Sequence, residues 1–498
     1  MASTPSPAAG PSLAGRIAAA IALTIAFYVL ALVIGVGLIA GPIIGWANGT
    51  GNIFLTITAF FLGGSILYAI VPRRSQFVPP GVKLTDATAP DLMRLIREEA
   101  EAGDEPMPDD VFVELGVNAA VTQAKGGRRV LVVGLSLVQA LTERELRGVI
   151  AHEFGHYRGG DLKAGPFIWR TRATIGRTID QLSDEDGSES WTQRLVRLPF
   201  IWYGKAFMRI TSAISRREEF AADRCAVERV GRDVHCSALR KVRGQAAAFD
   251  AYWQQEVVAV LEAGRRPPIA EGFMRFMADE EVRDSRDAFV EESLKRKTDP
   301  YDSHPSLAER IAAVDSLPAG EPDHSPPAVA LLADPETLER DVLEDLIGEQ
   351  AAEFTSVSWD DVGVEVYGAR ARANAEQFAD FLEGATIGTV PETLETVPAT
   401  AYELVDRDTD QQPYAEHVLT SVLGDAVLAT LHAHGWDLHA PPAEPVRAVR
   451  GEHAFVPMQT VHALRDGKLT ADAWRAQVAG LGVTDLPLGV GARQTATA

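Results

Sequence analysis

Apolar residues recur along this chain on three different scales. The first is the uninterrupted run. Ile17 to Ala40 carries no charge and is strongly apolar, and Ile53 to Val71 is likewise uncharged. Each run is near the roughly 20 residues that a helix needs to cross a bilayer. Only Gly41 to Asn52 separates them, so the pattern predicts two N-terminal transmembrane helices forming a hairpin over 16–74. The first run is also longer than the ~7–15-residue apolar centre of a signal peptide. Residues 1–15, rich in Pro, Ser, Ala and Gly, have no packing pattern and read as a disordered lead-in.

After the hairpin the periods shorten. Asp86 to Gly103 has Leu92, Leu95 and Ile96 on one side and charges on the other, which predicts a helix. Val111 to Leu115 and Arg129 to Val133 read as strands, with Gly126-Gly127 as a turn between them. Trp191 to Arg209 mixes Phe200, Trp202, Tyr203 and Phe207 with Arg194, Arg197, Lys205 and Arg209. It has no uncharged run long enough to span a membrane, and predicts an amphipathic helix packed on the core or lying on the bilayer surface. Four prolines between Pro318 and Pro327 mark a linker, 318–327. Beyond it, helical periods occur over 335–349, 371–382, 414–434 and 470–479, and Val362 to Tyr367 alternates like a strand. The expected architecture is mainly α with a small β-sheet. A domain over 80–317 follows the hairpin, and an acidic α/β region over 328–498 carries no chemical motif.

Composition narrows the partners. A chain of 498 residues holds two to four domains at about 100–200 residues each. The formal net charge of −22 argues against nucleic acid as a partner. Two cysteines, Cys225 and Cys236, supply neither a disulfide framework nor a cysteine metal site. Basic residues flank the hairpin at Arg16, Arg73 and Arg74 and are missing from its turn. By the positive-inside rule this predicts a multi-pass protein of the cell (inner) membrane with everything after Pro72 in the cytoplasm.

The candidate chemistry lies in Val149-Ile150-Ala151-His152-Glu153-Phe154-Gly155-His156-Tyr157. On a helix His152 and His156 share one face and can hold one metal ion, while Glu153 can act as general base on a water. Thr142 to Glu145 is a capping box that starts the helix, and Gly159-Gly160 stops it. A hydrolytic zinc site needs a third protein ligand. Glu219 and Asp223, four apart on a predicted helix, fit the third ligand and an acceptor for the second N–H of a ligating histidine. Glu218 is the rival ligand. His432, His434 and His439 lack a carboxylate or cysteine at ligand spacing and read as ordinary residues.

Asn118-Ala119-Ala120, the zinc helix followed by Asp161, Ser215-Arg216 through Glu219-Phe220-Ala221-Ala222-Asp223, and His304-Pro305-Ser306-Leu307-Ala308-Glu309-Arg310-Ile311 occur in one order. Together they resemble the membrane zinc metallopeptidases of the HtpX and CAAX-prenyl-protease type, over roughly 118–314. The resemblance implies a zincin-like gluzincin domain with one Zn²⁺ per chain on His152, His156 and Glu219, and Glu153 as base. Asp223 and Asp161 support the ligands, and Asn118, His304 and Arg310 border the reacting groups. His304 would donate to the oxyanion, although His304-Pro305-Ser306 also reads as a turn capping a helix through Ser303 or Ser306. Val130 to Val133 would pair with extended substrate. The chain departs from the pattern in the charged interval between the zinc helix and the third ligand.

The expectation is a membrane-bound zinc metalloendopeptidase acting on unfolded or membrane-proximal protein substrates, in membrane-protein quality control. The alternative is a non-catalytic membrane adaptor on the same fold, which would have no need of Glu153.

Overall fold

The N-terminal apolar runs form helices α1 (Leu13–Ala47) and α2 (Ile53–Ala69). The computed structural model describes residues 13–71, 78, 80–158, 171–179, 191–395 and 411–488. The Asn52 side chain accepts from the Leu55 N–H at 3.0 Å and so caps α2. The two helices pack at a pair of glycines: a Cβ on Gly63 would lie 2.7 Å from the Gly35 carbonyl oxygen. By length and composition Ala18–Ala47 is able to cross a membrane, while α2 is equally apolar but only 17 residues long. Arg73, Arg74 and Asp161 lie outside the described residues, as do Gly159 and Gly160.

Next come β1 (Val82–Leu84), α3 (Pro90–Ala102), β2 (Asp110–Glu114), β3 (Ala119–Gln123), β4 (Arg129–Gly134), α4 (Leu135–Ala140) and α5 (Glu143–Arg158). The sheet has the order β1-β2-β4-β3, with β2 and β4 parallel and the outer pairs antiparallel. Buried Glu99 of α3 ties three helices together, pairing with Arg147 of α5 at 2.8 Å and with Arg229 at 2.6 Å.

Arg229 belongs to α7 (Trp191–Val230), which follows a short helix, α6, over 171–179. The first half of α7 corrects the sequence expectation. Phe200, Phe207 and Ile214, seven residues apart, are fully buried against Ala20, Phe27 and Ala31 of α1, Leu62 and Ile66 of α2 and Ile175 of α6. The stripe is one heptad-spaced seam, and it packs on the apolar hairpin rather than on the sheet layer. Its charged residues do not prevent this, because Lys205 and Arg209 are exposed, off the buried line.

The chain resolves into two compact units, Met1–Ala246 with Asp287–Pro335, and Ala247–Arg286 with Glu336–Ala498. The division differs from a single cut at 318–327. Those prolines form a strap within the first unit: Glu143 N–H donates to the Pro326 carbonyl at 2.8 Å, Arg144 Nη1 to Glu321 O at 2.8 Å, and Arg232 N–H to Pro318 O at 3.0 Å. Proline offers acceptors and no donor, which suits it to meet the unpaired N–H groups at the start of α5.

The second unit has its own core, including Trp436, Trp474, Leu423, Val427 and Phe455, and a three-stranded antiparallel sheet over Asp437–His439, Arg447–Arg450 and His453–Phe455. The helices expected there form at Pro335–Ile347, Ala369–Gln377, Gln411–Ala433 and Ala471–Gly480. The expected strand over Val362 to Tyr367 is instead a π-helical turn, Gly363–Gly368. Val362 and Val366 are buried while Val364 is exposed, a helical period that the alternating sequence concealed. Gly363 is needed there, since a Cβ would fall 2.2 Å from the Leu438 carbonyl oxygen.

Candidate metal centre

The centre begins with the start of α5. Thr142 N–H donates to Glu145 Oε2 at 2.9 Å and Glu145 N–H to Thr142 Oγ1 at 3.2 Å, so both arms of the capping box are made. From that start, His152 and His156 fall on one face with ring centroids 4.9 Å apart. An adjacent face carries Gly148 and Gly155, two turns apart. A Cβ on Gly155 would lie 2.8 Å from Ala222 Cα, and one on Gly148 2.9 Å from Val230 Cγ2. The small residues of Gly155-His156 and Ala221-Ala222-Asp223 therefore let α5 and α7 approach closely and run antiparallel. That approach carries Glu219 and Asp223 to the two histidines.

One ligand atom from each of His152, His156 and Glu219 can be chosen so that all lie within 4.8 Å of one another, and the group can hold a metal ion. His152 Nε2 is 3.6 Å from Glu219 Oε2, and His156 Nε2 is 3.8 Å from Glu219 Oε1. Glu218, one residue away, is not in the group. His152 Nδ1 lies 3.2 Å from Asp223 Oδ1, which fixes the tautomer that leaves Nε2 facing Glu219. Asp223 is fully buried and also receives Arg310, through Nε at 3.0 Å and Nη2 at 2.5 Å. Arg310 Nη1 stands 3.6 Å from Glu219. Arg310 thus clamps the carboxylates at the border of the cluster.

Charge dominates the site. Burial alone would push the His152 imidazole down, but hydrogen bonds to Asp223 and Glu219 outweigh it and bring it up to about 9. Burial would raise Glu219 and Asp223, yet His152, His304, His235 and Arg310 hold both carboxyls well below the ordinary range. Burial pushes Glu153 up, against the pull of the histidines and of the Val121 N–H, which donates to its Oε2 at 3.1 Å.

The structure brings His304 to the same carboxylate: its Nδ1 is 2.9 Å from Glu219 Oε1, with the side chain largely exposed. Ser306 caps the following helix, Leu307–Val314, by accepting from the Glu309 N–H. The turn thus caps a helix through Ser306, while His304 stands at the Glu219 carboxylate. Asn118 is not joined to the cluster among the described contacts. Its side chain donates to Glu114 at 3.3 Å and its carbonyl accepts from Gly134 N–H. The strand facing the centre is β3, not Val130 to Val133, which lie inside the sheet as β4. Ala119-Ala120-Val121-Thr122-Gln123 has too little apolar weight to announce a strand, and it forms because it pairs with β4.

Two site groups escaped the sequence reading. One is the Val121 N–H. The other is His235, on helix α8 (Arg232–Tyr252), whose Nε2 is 3.0 Å from Asp223 Oδ1. No spacing links it to the motif; the only local signal is the break at Gly231, whose φ of +90° turns the chain between the helices.

Residues 86–317 match the model of Peptidase family M48. The chain is 26% identical over 232 residues to a protein named Protease HtpX from Glaesserella parasuis, covering 43% of this chain and 80% of that one. It is 24% identical over 206 residues to Protease HtpX of Mannheimia succiniciproducens, covering 39% and 72%. Among solved structures it is similar to S. mikatae Ste24p, with 18% identity, a TM-score of 0.29, and coverage of 60% of this chain and 67% of that one.

Proposed function

We propose, from the premise that residues 86–317 carry the M48 peptidase pattern of the HtpX type, that this protein is a membrane-bound zinc metalloendopeptidase. The observation that carries the reading is the convergence of His152, His156 and Glu219 beside Glu153. Two imidazoles and a carboxylate are a zinc donor set. Around a tetrahedral zinc with bonds of about 2.0–2.2 Å, ligand atoms stand roughly 3.3–3.6 Å apart. The three ligand atoms lie within 4.8 Å of one another and would draw together on binding. Zinc held there would supply Lewis acidity, lowering the pKa of a water toward ~7.

The chain's own groups account for the remaining steps. Glu153, raised by burial, takes the proton of the attacking water and passes it to the leaving amine. His304, within reach of the Glu219 carboxylate, donates to the developing oxyanion. Asp223, held by Arg310, keeps His152 in its ligating tautomer. The outer edge of β3 offers the Ala119 backbone and the Val121 carbonyl to an extended chain, the Val121 N–H being held by Glu153, because the register with β4 turns the alternate residues Ala120 and Thr122 inward. Extended binding selects unfolded or loosely folded substrate.

The apolar α1 and α2 support a membrane hairpin. With Arg16, Arg73 and Arg74 on its flanks, it directs the peptidase region to the cytoplasm, where cytoplasmic parts of damaged or surplus membrane proteins are the reachable substrates. The test is casein cleavage by purified full-length chain, with and without chelator and zinc. Chelator-sensitive cleavage restored by zinc is expected. Bound zinc without cleavage of any unfolded protein would favour a non-catalytic adaptor.

A further inference from the structure

We propose that His235 is a positioning residue of the metal centre, holding Asp223 so that His152 keeps its ligating orientation. The proposal rests on the metal-centre reading above.

A buried carboxylate has about four acceptor sites, and those of Asp223 have four donors. Oδ1 receives His152 Nδ1 at 3.2 Å, His235 Nε2 at 3.0 Å and Arg310 Nη2 at 2.5 Å, and Oδ2 receives Arg310 Nε at 3.0 Å. The donors come from α5, α8 and the helix Leu307–Val314, while Asp223 sits on α7. Arg310 alone would fix the plane of the carboxylate. His235 adds something different, because its ring also packs on the ring of His152: the centroids are 6.3 Å apart and the planes 24° from parallel. Oδ1 bridges two nearly parallel imidazoles. His152 therefore cannot turn about its ring axis without breaking the bond to Oδ1 and moving against His235.

The state of the His235 ring supports this reading. With Nε2 donating to Asp223, Nδ1 keeps its lone pair, and that buried atom meets no hydrogen-bond partner among the described residues. An apolar side chain of similar size would leave no such orphan. What the imidazole contributes in return is the Nε2–Asp223 bond and the packing on His152. The backbone is arranged to deliver it: Gly231 closes α7 with φ +90°, passes against Gly320 of the strap where a Cβ would lie 2.6 Å from its Cα, and accepts the His235 N–H at 3.1 Å.

The test measures zinc dissociation constants by chelator competition on the full-length chain in detergent, together with the visible absorption of the Co²⁺-loaded protein. His235→Leu should weaken zinc by roughly 10–100-fold, the range for partners that orient a ligand, and should change the Co²⁺ spectrum. His235→Met, which fills the same slot without a donor, carries the same expectation and serves where the leucine variant does not fold. His235→Gln, whose amide N–H can reach Asp223, should recover affinity to within a few-fold and restore the wild-type spectrum. Thermal unfolding of the metal-free proteins separates the effect from a general loss of stability. Wild-type zinc affinity and spectrum in the Leu or Met variant would overturn the proposal, as would Gln failing to rescue a folded protein. A wild-type chain that binds no zinc would overturn the metal-centre reading itself, and this proposal with it.

Discussion

The two compact units use their buried polar groups in opposite ways. In the first, His152, Glu219, Asp223, His235 and Arg310 face one another and share acceptors, so that one carboxylate serves three side chains. In the second, the buried carboxylates Glu339 and Asp425 and the Trp474 indole each meet a separate partner. Glu339 accepts the N–H groups of Ile269 and Ala270, both at 2.7 Å, and caps the helix Ile269–Ala278. Trp474 Nε1 donates to the Ile387 carbonyl at 2.8 Å, and Asp425 accepts from Asn374 at 2.6 Å. Nearer the surface, half-buried His432 Nδ1 lies 3.0 Å from the Trp436 carbonyl and exposed His434 Nδ1 2.8 Å from that of Thr430, at the end of Gln411–Ala433. Separate pairs satisfy a fold. Convergent sharing leaves a concentrated field that a cation can occupy, and it is costly to keep unless something uses it.

Substitutions should split along that line. The largest effect belongs to Glu219→Ala, which removes the anionic ligand: metal content and cleavage should both be lost, while Glu218→Ala keeps both. Zinc analysis of the two purified variants checks this, and metal loss in the Glu218 variant would shift the register of α7 by one. Asp223→Ala should come next, weakening metal affinity or activity by roughly 10–100-fold. A metal titration equal to wild type would remove Asp223 from the centre.

Gly155→Ala tests the helix approach. The neighbour of the new Cβ is the backbone of Ala222, at 2.8 Å, which cannot swing aside. A cost of about 1–3 kcal/mol is expected, read as a lower Tm with weaker metal binding. An unchanged Tm would show that the seam has slack.

In the second unit the expected effects are small and carry no change in metal binding. Burial raises the Asp425 carboxyl despite its Asn374 partner. A raised folded-state value means that the group favours the fold below the ordinary aspartate range and that this contribution is lost as pH rises through the folded value. Asp425→Asn should therefore raise Tm by roughly 1–3 °C at neutral pH, with the gain vanishing near pH 3. A gain that persists at acid pH would locate its cause elsewhere.

What the sequence disclosed follows the same division. His152, Glu153 and His156 were legible because helical spacing alone places them, and Thr142 with Glu145 because a capping box is local. Glu219 was legible as half of an i,i+4 pair, though only packing through Gly155 and Ala222 separates it from Glu218. β3 was hidden, because Ala119 to Gln123 becomes a strand only by pairing with β4. His235 was hidden for the same reason, since its meaning depends on a turn at Gly231 and a contact twelve residues back. The strap at 318–327 looked like a linker because proline reports a lack of donors and says nothing of which donors its carbonyls will meet. In the second unit the alternation at Val362 to Tyr367 matched a strand until tertiary packing against Leu438 chose a helix.

The central claim is that Glu153 does chemistry beside a metal that it does not hold. Metal content and cleavage of an unfolded protein, measured together on wild type and Glu153→Gln, test it most directly. One zinc per chain is predicted in both, with cleavage reduced by about 10²–10⁴-fold in the variant. Near-normal cleavage by the zinc-loaded variant would contradict the account.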